Sequence, residues 1–303
     1  MTASPQNGSA LLTAEGLTKK YRQTLAIDGV TVSLPRGKII GFVGENGSGK
    51  TTLIRMLTGL IRPTSGTFSY KTDDGKCRIG AIVESPSFFP NMTAYDNLVF
   101  QAKLCGCPLD RIPTILEQVG LDRTGKKKAK NFSLGMRQRL GIAIALVSEP
   151  EFLILDEPTN GLDPEGIIEL RQLLKSLAEN GNMTLLVSSH ILSELSQLAE
   201  WYIFLHKGRI RETADASEMI RHATRELRFS CGTDASASVK RILDGGWAES
   251  GFLDAESGKY VLYGPKDFPS ILRELSTLPV TDLETREESL EAHYMQLMKG
   301  DAS

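Results

Sequence analysis

The sequence predicts an α/β protein with a mostly parallel β-sheet, followed by a smaller α+β domain. Between about residues 38 and 190, short apolar segments typical of buried strands alternate with amphipathic helical segments. Such alternation is typical of a parallel sheet that is covered by helices on both faces. After about residue 220 the pattern becomes strand, helix, two strands, helix and strand, which is the ferredoxin-like βαββαβ order.

Length and composition agree with two folded domains. The chain has 303 residues, of which 41% are hydrophobic and 24% are charged, so it can bury a substantial core. We expect a disordered lead at residues 1–10, a large domain at 11–220 and a small α+β domain at 221–303. The lead has no cationic start followed by an apolar block, so we do not expect a secretory signal.

Charge and hydropathy exclude several function classes. A net charge of -2 argues against broad neutralisation of nucleic-acid phosphates, so no nucleic-acid partner is expected. The lysine run at 126–128 has no interleaved aromatic residues and is interpreted as a solvated helix end. No apolar segment approaches the roughly 20 residues that span a bilayer, so the chain is expected to be soluble by itself. The four cysteines, including the C-x-C pair Cys105 and Cys107, lack further metal ligands nearby and are expected to be reduced thiols.

The first elements follow from hydrophobic periodicity. Polar and apolar residues alternate over 11–17 and 27–34, which predicts two strands. Residues 38–43 form an apolar segment that predicts a buried strand leading into a Gly-rich loop. An amphipathic helix is predicted from Thr51. Its apolar face would contain Leu53, Met56, Leu57 and Leu60.

Turn signals and apolar segments organise the middle of the chain. Asp73-Asp74-Gly75 between two strand-like segments predicts a hairpin, with residues 79–83 as its second strand. A helical subdomain is predicted at about 93–150. Buried strands are predicted at 152–155 and 184–187, because both segments are almost wholly apolar.

Helix-start signals and the C-terminal pattern complete the assignment. Asp163 is a good N-cap and Pro164 suits a first helical position, so a helix is predicted to begin there. In the small domain, strands are predicted at 226–231, on either side of 256–258 and at 280–285, with helices at 235–243, 268–278 and 289–298.

A phosphate-binding loop is predicted between the buried strand at 38–43 and the helix that follows. The pattern G-x-x-x-x-G-K-[ST] is matched by Gly44, Glu45, Asn46, Gly47, Ser48, Gly49, Lys50 and Thr51, with Thr52 directly after it. Glycine lets consecutive N–H groups point inward, and these donors hold a triphosphate at the start of the helix. Lys50 would reach the β- and γ-phosphates of ATP, and the Thr51 hydroxyl would ligate Mg²⁺. The alternative is a chance Gly-rich turn.

Two adjacent carboxylates follow the apolar strand at 152–155. A buried strand delivers Asp156 and Glu157 to the edge of the sheet where the phosphate loop also lies. We expect Asp156 to hold the Mg²⁺ shell and Glu157 to act as the general base on the attacking water. Two adjacent surface acids would be the alternative, although the four preceding apolar residues argue against it.

The segment Phe132–Gln138 reads Phe-Ser-Leu-Gly-Met-Arg-Gln and lies at a predicted helix start. It resembles the Ser-Gly-Gly-Gln-like signature of the ABC ATPases, a P-loop NTPase family, with leucine in place of the first glycine. This resemblance covers about residues 11–220. It implies that Ser133, Gly135 and Gln138 bind the γ-phosphate of ATP held by the opposite subunit. Considered alone, the segment could also be a simple capped helix.

Three more positions match the family. The segment Asn160-Gly161-Leu162-Asp163 resembles the loop that couples the two nucleotide sites, and places Asp163 there. His190 after a predicted strand resembles the switch histidine that contacts the γ-phosphate, although a lone histidine is more often structural. Tyr21 matches the position of the aromatic ring that stacks on adenine, with a core tyrosine as the competing interpretation.

One departure from the family pattern is informative. Where the family usually has a glutamine that contacts the metal and the attacking water, this sequence has Glu84. A carboxylate can ligate Mg²⁺ more strongly but donates no hydrogen bond when ionised. This substitution, the segment at 86–93 and the signature resemble the bacitracin-resistance and lantibiotic self-protection exporters. That subgroup implies a peptide antibiotic as cargo.

The resemblance also implies partners. Each signature completes a site on the other subunit, so two copies would form a two-fold homodimer around ATP. A separate membrane-spanning permease would hold the dimer at the cytoplasmic face of the cell membrane. Phe88, Phe89, Met92 and Tyr95 are predicted to line the groove that receives the permease, the alternative being a loop packed on its own domain.

Two other function classes remain for comparison. A soluble ABC ATPase of DNA repair would carry a long coiled coil between the phosphate loop and the signature, and residues 50–133 leave no room for one. Ribosomal members carry two cassettes in one chain, whereas one is present here. A nucleotide-regulated binding module without turnover is disfavoured by the presence of Glu157 and His190.

Overall fold

The computed structural model describes residues 10–72, 77–181, 183–217, 219, 225–254, 257–287 and 294. The chain divides into two compact units, with the division between Ser217 and Glu218. Three sequence predictions lie outside the described residues: the lead except for Ala10, the turn at 73–75 and the helix at 289–298 except for Tyr294.

A six-stranded sheet forms the centre of the first unit, with the strand order β5-β6-β7-β3-β8-β9. Its strands are β3 (Ile39–Val43), β5 (Ile79–Ile82), β6 (Phe152–Asp156), β7 (Thr184–Ser189), β8 (Trp201–His206) and β9 (Arg209–Asp215). All neighbouring pairs are parallel except β8 and β9. Every residue of β3, β6 and β7 is buried, as expected for central strands of a parallel sheet. The predicted mostly parallel sheet is confirmed.

A separate three-stranded antiparallel sheet has the order β2-β1-β4. It is formed by β1 (Ala10–Tyr21), β2 (Thr24–Pro35) and β4 (Ser65–Tyr70). The predicted hairpin is wrong, because β4 pairs with β1 whereas β5 pairs with β6 in the larger sheet. Burial outweighed the local turn signal. In the large sheet β5 lies beside the wholly buried β6, where Ile82 is only 5% exposed.

The α-helices of the first unit include α1 (Lys50–Leu57), α2 (Ala94–Cys105), α3 (Ile112–Gln118), α4 (Leu134–Leu146), α5 (Pro164–Gly181) and α6 (Leu192–Ser196). Short 3-10 helices lie at Asp122–Thr124 and Ala129–Asn131. The segment predicted as a helical subdomain contains α2, α3 and α4. Helix α1 ends at Leu57, so Leu60 lies beyond it and is 64% exposed, contrary to the prediction. Strands β8 and β9 and helix α6 were not predicted, although the apolar segment Trp201–Leu205 is a clear strand signal.

The second unit has the predicted ferredoxin-like order. Its elements are β10 (Arg225–Cys231), α7 (Ser236–Asp244), β11 (Ser250–Leu253), β12 (Tyr260–Tyr263), α8 (Phe268–Leu275) and β13 (Val280–Glu287). The sheet order is β11-β12-β10-β13 and all pairs are antiparallel. Leu227, Phe229, Ile242, Leu262 and Ile271 are fully buried and join the sheet to both helices.

Two further features bear on the sequence predictions. The four cysteines are free thiols. In the described part of the chain, every helix is too short or too polar to cross a membrane.

Candidate functional site

The loop between β3 and α1 needs glycine at two positions. A Cβ on Gly44 would lie 2.5 Å from the Ser48 Oγ, and a Cβ on Gly49 would lie 2.6 Å from the Ala26 carbonyl oxygen. Gly49 also has a φ of 110°, a conformation that strains any residue with a side chain. The loop is therefore held tightly against its surroundings, while Glu45, Asn46 and Gly47 are exposed at its tip. Thr52, half-buried, follows in the first turn of α1.

Lys50 turns back onto its own loop. Its Nζ donates to the carbonyl oxygen of Gly44 at 2.6 Å and lies 3.2 Å from the Glu157 Oε1. The Lys50 side chain is only 6% exposed. The Lys50 ammonium is buried and is held by backbone carbonyls and one carboxylate. It can exchange these partners for the oxygens of a phosphate group when a nucleotide binds.

Asp156 lies at the centre of a hydrogen-bonded group at the carboxyl ends of β6 and β7. The Thr51 hydroxyl donates to its Oδ2 at 2.8 Å, and the Ser188 hydroxyl donates to its Oδ1 at 2.6 Å. The Glu157 backbone N–H in turn donates to the Ser188 Oγ at 2.9 Å. The predicted pair Thr51 and Asp156 is therefore brought together, and Ser188 positions Asp156 relative to Glu157.

Glu157 and His190 are also brought together. The His190 Nδ1 is 2.8 Å from the Glu157 Oε2, while the other carboxylate oxygen of Glu157 faces Lys50. Glu157 has a φ of 50°, an uncommon conformation for a residue other than glycine. Strained backbone of this kind is often found where a side chain must be aimed at a reacting group.

A second group of predicted residues surrounds a cavity of about 480 Å³ at the start of α4. Ser133 is the N-cap of α4, and its Oγ accepts a hydrogen bond from the Met136 N–H at 3.2 Å. Ser133, Gly135, Gln138 and Asp163 all line the cavity. The Asp163 Oδ1 accepts from the Gly166 N–H at 3.0 Å and so caps α5. Among the described residues, none from the Lys50 loop lines this cavity, so the two groups form two separate half-sites.

Two predicted residues stand apart from both groups. Glu84 follows β5 with a φ of 64°, and its Oε1 accepts a hydrogen bond from the Arg55 guanidinium at 2.8 Å. Tyr21 ends β1 and is 43% exposed, with the Lys19 Nζ 5.2 Å from the centre of its ring. The alternative that Tyr21 is a core residue is therefore wrong.

Ser48, Lys50, Thr51, Asp156, Glu157 and His190 lie together and are called the Lys50 group. This group fits a phosphate and a divalent cation. The Ser48 hydroxyl is buried inside the loop with no hydrogen-bond partner in the described part of the chain. A buried, unpartnered hydroxyl is costly unless a ligand or a water satisfies it. The Thr51 hydroxyl and the Asp156 carboxylate supply the oxygen ligands that Mg²⁺ prefers.

Three contributing residues were not identified from the sequence. Ser188 bridges Asp156 and Glu157, and Arg55 pairs with Glu84. Glu194 accepts a hydrogen bond from the Thr159 hydroxyl at 2.6 Å and so joins the loop after Glu157 to the loop that carries His190. A polar residue directly after the apolar segment 185–187 could have indicated Ser188, whereas Arg55 and Glu194 have no comparable signal.

A strand, a glycine loop with a buried lysine and a second parallel strand, one position further along the sheet, that leads into two carboxylates define a P-loop nucleoside triphosphatase. Residues 27–160 match the family described as ABC transporter. The chain belongs to this family as an ATP-binding subunit that hydrolyses ATP. The transport-linked function is favoured over a soluble ATPase, since similar chains named as transport proteins match along nearly its whole length.

Named relatives resemble the chain to different extents. The bacitracin transport ATP-binding protein BcrA of Bacillus licheniformis is 39% identical over 96% of this chain and 98% of its own length. The lantibiotic transport ATP-binding protein SrtF of Streptococcus pyogenes is 43% identical over 66% of this chain and 89% of its own length.

Solved structures support the fold. The protein cbiO1 of Clostridium perfringens, part of an ABC transporter complex, has a TM-score of 0.64 with 26% identity and covers 77% of this chain and 95% of its own. A dimeric ATP-binding cassette in a post-hydrolysis state, bound to ADP and Pi, has a TM-score of 0.59 with 26% identity over 68% of this chain and 98% of its own.

Proposed function

We propose that this chain powers the export of peptide antibiotics through a separate membrane-spanning permease at the cytoplasmic face of the cell membrane. The observation that carries the proposal is the 39% identity to a bacitracin transport ATP-binding protein, which extends over 98% of that relative. Glu84, in place of the usual glutamine, supports the same subgroup.

The Lys50 group would bind ATP and Mg²⁺. Lys50 would leave Glu157 for the β- and γ-phosphates, and the Ser48 hydroxyl would gain a phosphate oxygen as its partner. Thr51 and Asp156 would hold Mg²⁺, which supplies charge neutralisation on the phosphates. Glu84 would join the metal after it leaves Arg55, and Tyr21 would stack on the adenine ring.

Release of Lys50 would leave the Glu157 carboxylate free to accept a proton from the attacking water. The contact with the His190 Nδ1 at 2.8 Å holds the carboxylate in one orientation, and His190 would contact the γ-phosphate. Pairing with Lys50 before ATP arrives keeps this base engaged, so the resting chain holds no free general base beside its phosphate loop.

Two copies would complete both nucleotide sites. The cavity around Ser133, Gly135, Gln138 and Asp163 lies at a helix N-terminus, where backbone N–H groups favour an anion. The γ-phosphate of ATP on the opposite subunit would enter this cavity and close the homodimer. Hydrolysis would remove that link and allow the subunits to separate.

Arg55 provides a test of the metal-binding role of Glu84. Replacing Arg55 with glutamine is expected to lower the Mg²⁺ concentration for half-maximal ATPase activity by about two- to fivefold, because an exposed ion pair is worth up to about 1 kcal/mol. ATPase rates would be measured over a Mg²⁺ titration at fixed ATP. Arg209→Gln, which breaks the exposed pair with Asp28, is the matched control and should leave the midpoint unchanged. An unchanged midpoint in Arg55→Gln would exclude Glu84 as a metal ligand.

The permease is proposed to dock in a groove beside β5. This groove has a volume of about 530 Å³, and Phe88 and Phe89 line it. Phe89 is 45% exposed and packs edge-on against Phe100 at 4.5 Å between ring centres. Met92 and Tyr95, predicted for the same surface, do not line the groove.

Truncating both groove aromatic residues should uncouple ATP hydrolysis from transport. Buried interface aromatics are each worth about 2 kcal/mol, so Phe88→Ala with Phe89→Ala is expected to weaken permease binding by about 700-fold. ATPase activity of the isolated chain should stay within about twofold. Co-purification with the permease and antibiotic tolerance of cells would be measured. Phe252→Ala, which truncates a comparably exposed phenylalanine in the second unit, is the control. Undiminished transport in the double variant would refute docking in this groove.

Antibiotic tolerance tests the proposed function directly. Cells that contain the chain and its natural permease should tolerate more bacitracin or lantibiotic than cells that contain either alone. Pairing the permease with Glu157→Gln should abolish the gain. Export of an unrelated cargo with no change in peptide tolerance would leave the ATPase assignment intact but overturn the cargo.

A further inference from the structure

The loop that leads into α4 carries a dense group of basic side chains. Between residues 122 and 130 there are five basic residues and one acidic residue: Arg123, Lys126, Lys127, Lys128, Lys130 and Asp122. All six side chains are exposed. The whole chain has a net charge of -2, so this basic loop is a local concentration of charge that the proposed ATPase chemistry does not use.

Acidic neighbours neutralise only part of the basic loop. Arg123 lies 3.7 Å from Asp122. Asp96 is held ionised because hydrogen bonds from Thr93 lower its pKa, with a further contribution from the nearby charge of Lys128. Even so, no described acidic group lies within ion-pair distance of Lys126, Lys128 or Lys130, as the ion pairs in the described part of the chain show.

Backbone hydrogen bonds fix the basic loop beside the groove proposed for the permease. The Lys130 N–H donates to the Pro90 carbonyl oxygen at 2.8 Å, and the Ala129 N–H donates to the Met92 carbonyl oxygen at 2.9 Å. Lys128 also forms an isolated antiparallel bridge with Thr93. Because Pro90 directly follows Phe89 in the groove, the basic loop and the groove share one stretch of backbone.

The charge of this loop favours a lipid over a protein as its partner. Cytoplasmic loops of membrane proteins are enriched in lysine and arginine, so a permease would place positive charge opposite the lysines of the basic loop. The phosphates of anionic phospholipids in the cytoplasmic leaflet provide the complementary charge. Tyr95, 47% exposed and two residues beyond Thr93, adds an aromatic ring of the kind enriched at the headgroup level of membranes.

We propose that the basic loop at 122–130 binds anionic phospholipid headgroups around the permease and thereby orients the groove toward the membrane. This proposal rests on the proposed docking at the groove. Each lysine near an anionic surface contributes about fivefold in affinity, so removal of three should weaken binding by about 100-fold.

Vesicle binding of the purified full chain tests the proposal without the permease. The native chain should sediment with phosphatidylcholine vesicles that contain about a third phosphatidylglycerol, and should not bind vesicles of phosphatidylcholine alone. Raising the salt concentration should release it, since exposed charges are screened. Lys126→Gln with Lys128→Gln and Lys130→Gln should reduce binding about 100-fold.

A matched control separates this surface from net charge. Lys20→Gln with Lys175→Gln and Lys240→Gln removes the same charge from exposed lysines elsewhere and should bind anionic vesicles like the native chain. Equal binding by the basic-loop variant and the native chain would overturn the proposal, as would lysine-dependent binding to a single-stranded oligonucleotide without vesicle binding. The Phe88→Ala, Phe89→Ala variant should retain vesicle binding, so failure of the groove proposal is a separate result.

Discussion

Replacing Glu157 with glutamine is expected to lower the steady-state rate of ATP hydrolysis by about 100- to 10,000-fold, the range over which a general base contributes. Glutamine has nearly the same shape but cannot accept the proton of the attacking water. It also removes the carboxylate that pairs with the buried Lys50 at 3.2 Å. Nucleotide binding should persist, since Gly44 and Gly49 keep the loop conformation. Phosphate release would measure turnover.

The same variant should accumulate as an ATP-bound homodimer. Closure needs the γ-phosphate, which the variant does not remove, so light scattering with ATP and Mg²⁺ should give twice the monomer mass. Glu179→Gln makes the same chemical change on the exposed surface of α5 and should behave like the native chain. Normal turnover in Glu157→Gln would show that another group is the base.

Mixing two inactive variants is expected to restore part of the activity. Lys50→Ala removes the ammonium that binds the β- and γ-phosphates, and Ser133→Arg blocks the cavity at the start of α4. Each variant alone should lose at least about 100-fold in ATPase rate, because each nucleotide site of a two-fold dimer needs one copy of both groups. A mixed dimer instead has one site with both groups intact.

Random pairing of the two variants produces about half mixed dimers with one working site of two, so the mixture should recover up to about a quarter of the native rate. Steady-state phosphate release over a series of mixing ratios would measure it. Asp156→Ala, which disables the same half-site as Lys50→Ala, replaces Ser133→Arg in a control mixture and should recover no activity. Activity that is only the sum of the two separate variants would show that Lys50 and Ser133 do not act across a dimer.

The sequence-based predictions succeeded where the pattern is local. The loop at 44–51 and the strand at 152–155 are each one continuous segment of sequence, so Lys50 could be placed at the start of a helix and Asp156 at the end of a buried strand. The ferredoxin-like order of the second unit was likewise visible from alternating strand and helix segments. The prediction of a hairpin around residues 73–75 was wrong. A turn signal depends only on neighbouring residues, whereas the pairing of a strand depends on segments far away in the sequence.

Within the site, local sequence patterns identified individual residues but did not predict which of them contact each other. Glu157 and His190 were both predicted, yet their direct contact depends on how the loops after β6 and β7 approach each other. Glu84 was expected beside the metal, whereas the structure pairs it with Arg55. Arg55 lies on α1, and no sequence pattern distinguishes it from an arginine that is simply exposed to solvent.

By itself the sequence determined the class of chemistry, because phosphate binding by a glycine loop needs only neighbouring residues with a particular backbone freedom. It also determined the position of each half-site along the chain. Only the tertiary structure decided that Ser188 bridges Asp156 and Glu157, that Lys50 rests on Glu157, and that the Ser133 cavity excludes the Lys50 loop. These contacts join residues far apart in the chain, and strand order and loop packing bring them together.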